Sequence, residues 1–564
     1  MAEISKEIIK AYALENAIKH KGKASEGAVL SALFIEGLEK SKIKDYSPII
    51  SGVVNEVNSL NPENQKDEFE KLKDLVSKRE VRGEGELPDL NNAKKGEVVM
   101  RFAPFPSGPL HIGNARPLIL NDEYVKKYGG KLILVMDDTI GSEEKPIEKD
   151  AYKLIESGAR WLGATFDKEI IYKSDRMEKY YAYADELIKK GYMYVCKCDK
   201  EKIREDRANG IACPCRVMSP EEHIARWKEM FESSEGEMAV RLKTDMNDPD
   251  PAFRDRVMFR VSERLHPRTG SKYRVYPMLD FSWAIDDHLL GTTHILRGME
   301  LAIETRVEKF IWDIFGWSHP EVIYSGHFAI DGVKISKSKG AKEVKSGTFI
   351  GWNDPRTWSL QSLRDRGIQP QAIREFILNM GFKKTSVKIP VSVLYTINKK
   401  FIEHSKRFFF LENPVEIKIS GAPPIVARIP YHPDGTKGFR EYNTAQEFLI
   451  QNSDFQAIED GNYRLMHLLN FKSDSTLRLK PRNFSFISEK PDVNLKLKFM
   501  QWLLPTENNI VVRIMLPSGI YKEGLGEPQL RNLEEGEIIQ FERVGFARLY
   551  KKTKDRLDFW FSHN

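Results

Sequence analysis

The stretch VVMRFAPFPSGPLHIGNAR, at residues 98–116, decides the fold of this chain. It starts with β-branched and apolar residues that are typical of a buried strand. A turn rich in proline and glycine follows, and the pattern predicts that a helix begins near Leu110 to Ile112. The apolar run at 131–136 predicts the next strand. A strand, a turn, a helix and a second strand in this order open a parallel α/β nucleotide-binding sheet.

The predicted start of the helix has the features of a phosphate-binding site. A helix N-terminus presents free N–H groups and a partial positive charge, which suit a chain of phosphates. His111 and Asn114 add polar donors in the first turn, and Gly113 lets a flat base or ribose approach the backbone. The alternative is an ordinary capped helix on which His111 is a surface residue.

The segment GVKISKSKG, at residues 332–340, is predicted to be a mobile loop because its lysines and serines alternate between glycines. A lysine on such a loop can meet the negative charge that develops on phosphate oxygens in a transition state. We expect Lys337 to have this role, with Lys334 assisting. The alternative is a solvated basic loop without a catalytic role.

All four cysteines of the chain lie in one short segment, as Cys196, Cys198, Cys213 and Cys215. A disulfide framework would spread its cysteines along the sequence, so a local metal site is the better interpretation. Four thiolates on two CxC pairs suit a tetrahedral structural Zn²⁺, with His223 as a spare ligand. Four reduced thiols without a metal are the alternative.

The predicted fold class is multidomain, built around a Rossmann-type α/β domain. We expect a helical N-terminal appendage at 1–82, a linker at 83–95, the two halves of the α/β domain at 96–195 and 276–345, a cysteine-containing insertion at 196–275, a helical connecting domain at 346–404 and all-β barrels at 405–564. The barrels are predicted from short alternating runs that Gly, Pro and Asn interrupt.

The composition excludes several classes of protein. Of 564 residues, 41% are hydrophobic and 30% are charged, which is typical of a globular chain with several cores. No apolar run approaches the roughly 20 residues that a membrane span needs, so we expect a cytoplasmic protein without membrane contact. The net charge of +6 permits local nucleic-acid contacts but does not require them.

Two of these motifs resemble the signatures of class I aminoacyl-tRNA synthetases. His111-Ile-Gly-Asn114 is similar to the HIGH signature, and Lys334-Ile-Ser-Lys-Ser338 to the KMSKS signature. Three further segments resemble the glutamyl/glutaminyl subgroup: Asp137-Asp-Thr139, DDHLLGTTHILRG at 286–298 and GWNDPRTWSL at 351–360. The resemblance covers residues 96–564.

The resemblance implies that the chain activates an amino acid with ATP and Mg²⁺ and transfers it to tRNA. Catalysis would then use His111, Asn114, Lys334 and Lys337. The implied ATP site consists of Pro104, His111, Gly113, Asn114 and Lys337. In related synthetases a zinc knuckle lies in the insertion that holds the tRNA acceptor end, and the resemblance implies the same placement here.

The resemblance further implies that the amino acid is glutamate. Arg297 stands where the glutamate enzymes carry an arginine, and a planar guanidinium is suited to bind a γ-carboxylate through two hydrogen bonds. Arg101 matches a second arginine that contacts the substrate, and Asp137 matches the acidic residue expected near the substrate ammonium. The sequence departs from the family pattern at Val135-Met136, and Leu279 and Trp283 replace a usual tyrosine and a polar residue.

The β-rich C-terminus resembles the anticodon-binding barrels of archaeal and eukaryotic glutamate enzymes. It therefore implies an archaeal-type glutamate–tRNA ligase acting on tRNA(Glu), and it leaves open whether tRNA(Gln) is also a substrate. A glutaminyl-tRNA synthetase and a non-catalytic tRNA-binding paralogue are the alternatives. A nucleotidyltransferase of the same superfamily would not need the barrels. The N-terminal helical region is expected to dock a partner protein or tRNA.

Overall fold

The computed structural model describes residues 4–34, 36, 38, 42–76, 85–142, 145–333, 337–382, 386–474 and 483–564, except for the side chains of 74, 337 and 338. The chain divides into two compact units, Met1–Gly83 and Glu84–Asn564. Within the described part of the chain, no helix combines the length and the apolar character needed to cross a membrane.

The first unit is helical, as its apolar spacing predicts. Its helices are α1 (Lys6–Lys19), α2 (Glu26–Leu33), α3 (Ile43–Ser59) and α4 (Pro62–Leu72). The side chains of Ser5, Ser25 and Asn61 each accept a backbone N–H at the start of a helix, and these caps fix three of the helix boundaries. Leu14 and Val53 are among the residues of one shared apolar core.

The first part of the second unit alternates strands and helices. In chain order these are β1 (Val99–Phe102), α5 (Ile112–Tyr128), β2 (Lys131–Met136), α6 (Ala151–Trp161), β3 (Ile171–Tyr172), α7 (Met177–Lys189), β4 (Met193–Cys196), α8 (Lys200–Asn209), α9 (Pro220–Met230), β5 (Ala239–Leu242), β6 (Val257–Val261), β7 (Val275–Pro277), α10 (Leu279–Leu289), β8 (His294–Gly298), α11 (Ala302–Phe315), β9 (Glu321–Ser325), β10 (Phe328–Asp331), α12 (Lys337–Lys345), α13 (Leu360–Asp365), α14 (Pro370–Asn379), β11 (Val387–Pro390) and α15 (Val391–Ile402).

A parallel sheet organises this region. Strands β1, β2 and β3 form one parallel ladder, and β8 and β9 form another. Thr293 joins the two ladders: its N–H donates to the carbonyl oxygen of Val99 at 2.9 Å, and its hydroxyl oxygen accepts from the N–H of Val99 at 2.9 Å. The strand order is therefore β3-β2-β1-β8-β9, a doubly wound nucleotide-binding arrangement in which the chain reverses its direction of winding beside β1.

An antiparallel sheet separates the two halves of the parallel sheet along the chain. Its strand order is β4-β5-β6-β7, and α8 and α9 belong to the same segment. The aromatic side chains of Trp227 and Phe259, whose ring centres are 5.4 Å apart, belong to its core together with Phe281 of α10. This segment thus packs on the parallel-sheet region through the helix that carries part of the candidate site.

The second part of the unit is dominated by β-structure. Its elements are β12 (Arg407–Phe408), β13 (Phe410–Glu412), β14 (Pro414–Ser420), β15 (Ile425–Pro430), β16 (Phe439–Thr444), β17 (Glu447–Gln451), α16 (Asn452–Gln456), β18 (Gly461–Leu465), β19 (Asn470–Asp474), β20 (Asn483–Ser488), β21 (Lys498–Met500), β22 (Ile510–Met515), β23 (Tyr521–Gly526), β24 (Ile538–Phe541), β25 (Gly545–Lys552) and β26 (Arg556–His563).

Both large sheets of this region curl towards closure, which confirms the predicted barrels. The seven-stranded sheet has the order β12-β24-β25-β26-β22-β23-β13. Its two edge strands are separated in sequence by Phe409 alone, so the edges lie next to each other. The six-stranded sheet, β17-β14-β20-β19-β18-β21, is bridged between its edges by reciprocal backbone hydrogen bonds of 2.8 and 3.0 Å between Leu449 and Leu503.

Candidate active site

The phosphate-binding turn ends in a capped helix. His111 is the N-cap of α5: its Nδ1 accepts the N–H of Gly113 at 3.0 Å, and Asn114 Oδ1 accepts the backbone N–H of His111 at 3.2 Å. Because Nδ1 is an acceptor, the proton of the neutral ring is on Nε2, which makes Nε2 a donor. His111 can therefore cap the helix and donate to a phosphate at the same time, because capping uses Nδ1 and donation would use Nε2.

Gly113 has a packing reason to be glycine. A Cβ at this position would lie 2.8 Å from Cε1 of His111, so the imidazole fills the space beside the Gly113 backbone. From the sequence, we expected a base or ribose to approach the backbone here. The structure gives this space to the capping ring, and any ligand at this turn meets the imidazole there. Pro104, also predicted to contact ATP, accepts the N–H of Asp137 with its carbonyl oxygen at 3.1 Å.

The segment 332–340 was predicted to be a mobile loop, but the chain is helical from Lys337 onwards. Lys337 is the first residue of α12, and the predicted assisting residue, Lys334, lies outside the described residues. Trp352 connects this helix to the phosphate-binding turn, since a Cβ on Gly340 would lie 3.2 Å from its ring and a Cβ on Gly108 would lie 3.3 Å from it. The two motifs therefore share one aromatic spacer, which comes from the segment 351–360.

Arg101 is held by a carboxylate from the other half of the parallel sheet. Its Nε and one terminal nitrogen donate to the two oxygens of Asp287, on α10, at 2.7 and 2.8 Å. Both side chains are buried. This pair fixes the planar guanidinium of Arg101 at the carboxyl end of β1, which is the edge where ligands bind in sheets of this class.

Arg297 is held in a similar way from α11. One terminal nitrogen donates to Oε2 of Glu308 at 2.8 Å and to the hydroxyl of Thr305 at 2.9 Å. Arg297 Nε and its other terminal nitrogen are buried, and they have no hydrogen-bond partner among the described residues. Complete burial raises the pKa of Glu308 to about 7, although the charge of Arg297 acts in the opposite direction.

Asp137, the predicted partner of the substrate ammonium, is already next to a cation. Its Oδ1 lies 2.9 Å from Nζ of Lys173, and the same Nζ donates to the hydroxyl of Ser282 at 3.0 Å. Lys173 is fully buried at the end of β3. Sequence reasoning did not single out Lys173, because a lysine after a two-residue strand carries no motif.

The second aspartate of the Asp-Asp-Thr segment has structural partners. Asp138 accepts the hydroxyls of Tyr152 and Ser174 at 2.9 and 2.8 Å and the N–H of Ser174 at 3.0 Å. Burial raises its pKa, and the hydrogen bonds from Ser174 oppose the rise. Asp138 therefore ties the end of β2 to the residues that follow β3, while Asp137 pairs with Lys173.

The indole of Trp283 brings the predicted substrate residues together. The guanidinium carbons of Arg101 and Arg297 lie 4.3 and 4.9 Å from the ring centre, and Nζ of Lys173 lies 5.0 Å from it. Trp283 is one of the positions at which the sequence departs from the family pattern. The structure thus places Arg101, Asp137 and Arg297 around one buried site, with each predicted cation bound to a carboxylate of its own.

The four cysteines form a second candidate site. The Sγ atoms of Cys196, Cys198, Cys213 and Cys215 all lie within 4.8 Å of one another. Cys213 Sγ is 3.5 Å from that of Cys196 and 3.2 Å from that of Cys198, far beyond a disulfide bond of about 2.05 Å. His223, the predicted spare ligand, accepts the N–H of Val195 at Nδ1 and lies outside the cysteine cluster.

Comparison with known proteins identifies the family. The family described as tRNA synthetases class I (E and Q), catalytic domain, matches residues 97–404, and the anti-codon binding domains of the same class match 405–481 and 491–550. The chain therefore belongs to the class I (E and Q) tRNA synthetases.

Three relatives that match over their full length are glutamate–tRNA ligases. The chain is 41% identical to the glutamate–tRNA ligase of Methanocaldococcus jannaschii, over 98% of each chain. It is 40% identical to that of Methanobrevibacter smithii, over 99% of each chain, and 41% identical to that of Pyrococcus abyssi, over 98% of each chain.

Proposed function

We propose that this chain is a glutamate–tRNA ligase of the archaeal type. The observation that carries the proposal is the meeting of Arg101, Arg297 and Lys173 around one buried indole, with Asp137 as the ion-pair partner of Lys173. The carbonyl oxygen of Pro104 accepts the N–H of Asp137, which joins this site to the turn that carries His111. Relatives that match the chain over its full length carry the name glutamate–tRNA ligase, which agrees with this geometry.

In the first step, the α-carboxylate of glutamate attacks the α-phosphate of ATP, and the bond to pyrophosphate breaks. The N-terminus of α5, the Nε2–H of His111 and Asn114 bind and stabilise the phosphate oxygens. Lys337 follows the developing charge from the start of α12. Mg²⁺, when bound with ATP, neutralises charge on the phosphate oxygens.

In the second step, a hydroxyl of the terminal ribose of tRNA attacks the carbonyl carbon of glutamyl-adenylate, and AMP leaves. Arg297 binds the γ-carboxylate through the two nitrogens that have no hydrogen-bond partner among the described residues, and Arg101 supports the same region of the pocket. Asp137 orients the substrate ammonium, with Lys173 holding its carboxylate.

We also propose that the cysteine cluster holds a structural Zn²⁺. In a tetrahedral site with Zn–S bonds of about 2.3 Å, the sulfur atoms are roughly 3.8 Å apart. The sulfur distances of 3.2 and 3.5 Å fit such a site after a small expansion. Four cysteines fill all four positions, so this metal would support the insertion and take no part in catalysis.

The remaining assignments follow from the activity. The two barrels at 405–564 bind the anticodon region of tRNA(Glu), and the insertion at 196–275 binds the acceptor end. tRNA(Gln) is a second substrate to be tested, and the N-terminal helices are a docking region for tRNA or a partner protein. A glutamate–tRNA ligase of this kind acts in the cytoplasm.

Two assays test the proposal. Purified protein should catalyse glutamate-dependent exchange between ATP and pyrophosphate, measured with and without tRNA. Aminoacylation of purified tRNA(Glu) and tRNA(Gln) with each amino acid then defines the product, and Arg297→Ala should reduce glutamate use most. Charging with glutamine alone would establish a glutaminyl-tRNA synthetase. Absence of exchange under both conditions would leave a non-catalytic tRNA-binding protein.

A further inference from the structure

Three cations, two on strands and one directly after a strand, meet around the Trp283 indole. Arg101 lies on β1, Lys173 follows β3 and Arg297 lies on β8, and all three approach the ring centre to 5.0 Å or closer. Three buried positive charges would repel one another if nothing separated and balanced them. The face of an indole attracts cations, so Trp283 offers these three groups one shared, favourable contact.

The charges of this centre are already balanced by the protein. Asp287 binds Arg101, Asp137 lies beside Lys173, and Glu308 binds Arg297. These ion pairs have distances of 2.7, 2.9 and 2.8 Å. When all three carboxylates are ionised, which for Glu308 with its pKa of about 7 means above neutral pH, the centre has one carboxylate per cation and no surplus of positive charge to recruit a ligand. Recognition must instead come from hydrogen-bonding groups that remain unsatisfied.

Such groups are present. Asp137 Oδ1 and Glu308 Oε1 are buried acceptors without a hydrogen-bond partner in the described ranges of the chain, although each carboxylate belongs to one of these ion pairs. The other three groups are donors. Trp283 Nε1, Arg297 Nε and one terminal nitrogen of Arg297 are buried and have no hydrogen-bond partner in the described ranges of the chain. Buried N–H groups that lack an acceptor are costly, so a site that retains several of them is suited to a ligand that supplies acceptors. A carboxylate offers two oxygen atoms and no donor.

We propose that Trp283 is a specificity-determining residue of the amino-acid pocket, whose Nε1–H donates to the γ-carboxylate of glutamate while its ring contacts Arg101, Lys173 and Arg297. This inference rests on the proposed function. It also accounts for selection against glutamine. The γ-amide of glutamine replaces one acceptor by an NH₂ donor, which would face the donors of Trp283 and Arg297 and leave one of them unpaired.

The decisive variant is Trp283→Phe, which keeps an aromatic face for the cations and removes the N–H. The KM for glutamate should rise about tenfold or more, since a hydrogen bond to a charged group is lost. The kcat and the KM for ATP should change by less than about threefold, because the ring still contacts the cations. The preference for glutamate over glutamine should fall in parallel. Trp283→Leu, which removes the ring as well, should lower kcat too.

Trp312→Phe is the matched control. Trp312 is buried like Trp283, but its Nε1 donates to the carbonyl oxygen of Ala284 at 2.9 Å, so its N–H is not available to a ligand. This variant should lower the melting temperature and leave the KM for glutamate unchanged.

The outcomes separate this inference from the proposed function. A wild-type protein that does not activate glutamate refutes the proposed function itself. An active wild type together with a Trp283→Phe variant whose KM for glutamate and glutamate preference stay within twofold of wild type refutes only the role of Trp283. A fall in the KM for glutamate would refute that role as well, since it would show that the indole obstructs the substrate.

Discussion

Arg101 and Asp287 form a buried, two-pronged ion pair across a sequence separation of 186 residues. Arg101 lies on the first strand of the parallel sheet, and Asp287 lies on α10 beyond the cysteine-containing insertion. The pair therefore joins the two halves of the catalytic domain at the candidate site. Its geometry also fixes the plane of a guanidinium that belongs to the predicted amino-acid pocket.

Replacing Asp287 by alanine should destabilise the catalytic domain by about 3–5 kcal/mol, because the charge of Arg101 would stay buried without a partner. Asp287→Asn, which retains the shape and an acceptor, should cost less. The midpoint of urea unfolding measures both effects. Asp313→Asn is the control, since the Asp313 side chain is 69% exposed in its contact with His319 and the change should be nearly neutral. A loss below about 1 kcal/mol for Asp287→Ala would contradict this account.

The pH dependence of stability should report on Glu308. Burial raises its pKa from 4.5 to about 7 in the folded protein, against the influence of Arg297 and Arg101 and with a further upward contribution from Asp287. Between these two values the folded state binds more protons than the unfolded state, so stability falls as the pH rises from about 4.5 towards 7. A pKa difference of this size corresponds to roughly 3 kcal/mol.

Glu308→Gln should flatten that part of the stability profile, because glutamine keeps the size of the side chain and cannot titrate. The KM for glutamate should also rise above pH 7 in the wild type. There the ionised Glu308 pairs more strongly with Arg297 and competes with the substrate carboxylate. Urea unfolding and steady-state kinetics at pH 5 to 8.5 provide the two readouts. If stability and the KM for glutamate depend on pH in the same way in wild type and in Glu308→Gln, the Glu308 carboxylate does not cause that pH dependence.

The spacer between the two ATP motifs can be tested at Gly340, in α12. A Cβ there would lie 3.2 Å from the Trp352 ring and would push the helix that begins with Lys337 away from the phosphate-binding turn. Ala is favoured over Gly in a helix by about 1 kcal/mol, so a helix effect alone would be stabilising. We expect Gly340→Ala to lower kcat for pyrophosphate exchange about tenfold and to leave the KM for glutamate unchanged.

The matched control for Gly340→Ala is Gly52→Ala. Gly52 lies in α3, and a Cβ at this position would meet no atom within 4 Å. The same substitution should therefore be harmless to exchange. Equal exchange rates for Gly340→Ala and wild type would show that Trp352 does not set the distance between the two motifs.

The sequence predicted the elements whose signals are local. The strand, turn and helix at 98–116, the parallel order that follows and the CxC pairs all depend on residues close together in the chain, and the structure contains each of them. The partners of Arg297 and Asp137 could not be predicted in this way. Glu308 lies on a helix whose apolar pattern is ordinary, and Lys173 meets α10 only through the packing of separate elements.

Trp283 could be recognised in the sequence, but its role could not be predicted from it. The sequence marked it as a departure from the family pattern, but its meaning depends on three cations that approach it from β1, β3 and β8. Closure of the six-stranded sheet depends in the same way on a bridge between Leu449 and Leu503. Long-range contacts of this kind are set by sheet order and register, which a single sequence does not specify.

If the cysteine cluster binds Zn²⁺, the reactivity of its thiols should depend on whether the metal is bound. Because all four cysteines of the chain belong to the cluster, metal-bound protein should show slow reaction of its thiols with a disulfide reagent. A chelator should release one Zn²⁺ per chain, measured with a chromogenic dye, and expose all four thiols together.

Cys213→Ala should lose the metal, since Cys213 contacts both Cys196 and Cys198. His223→Ala should retain it, because His223 accepts a backbone N–H outside the cluster. If all four thiols react fast and no metal is released, the cluster consists of four reduced thiols that bind no metal.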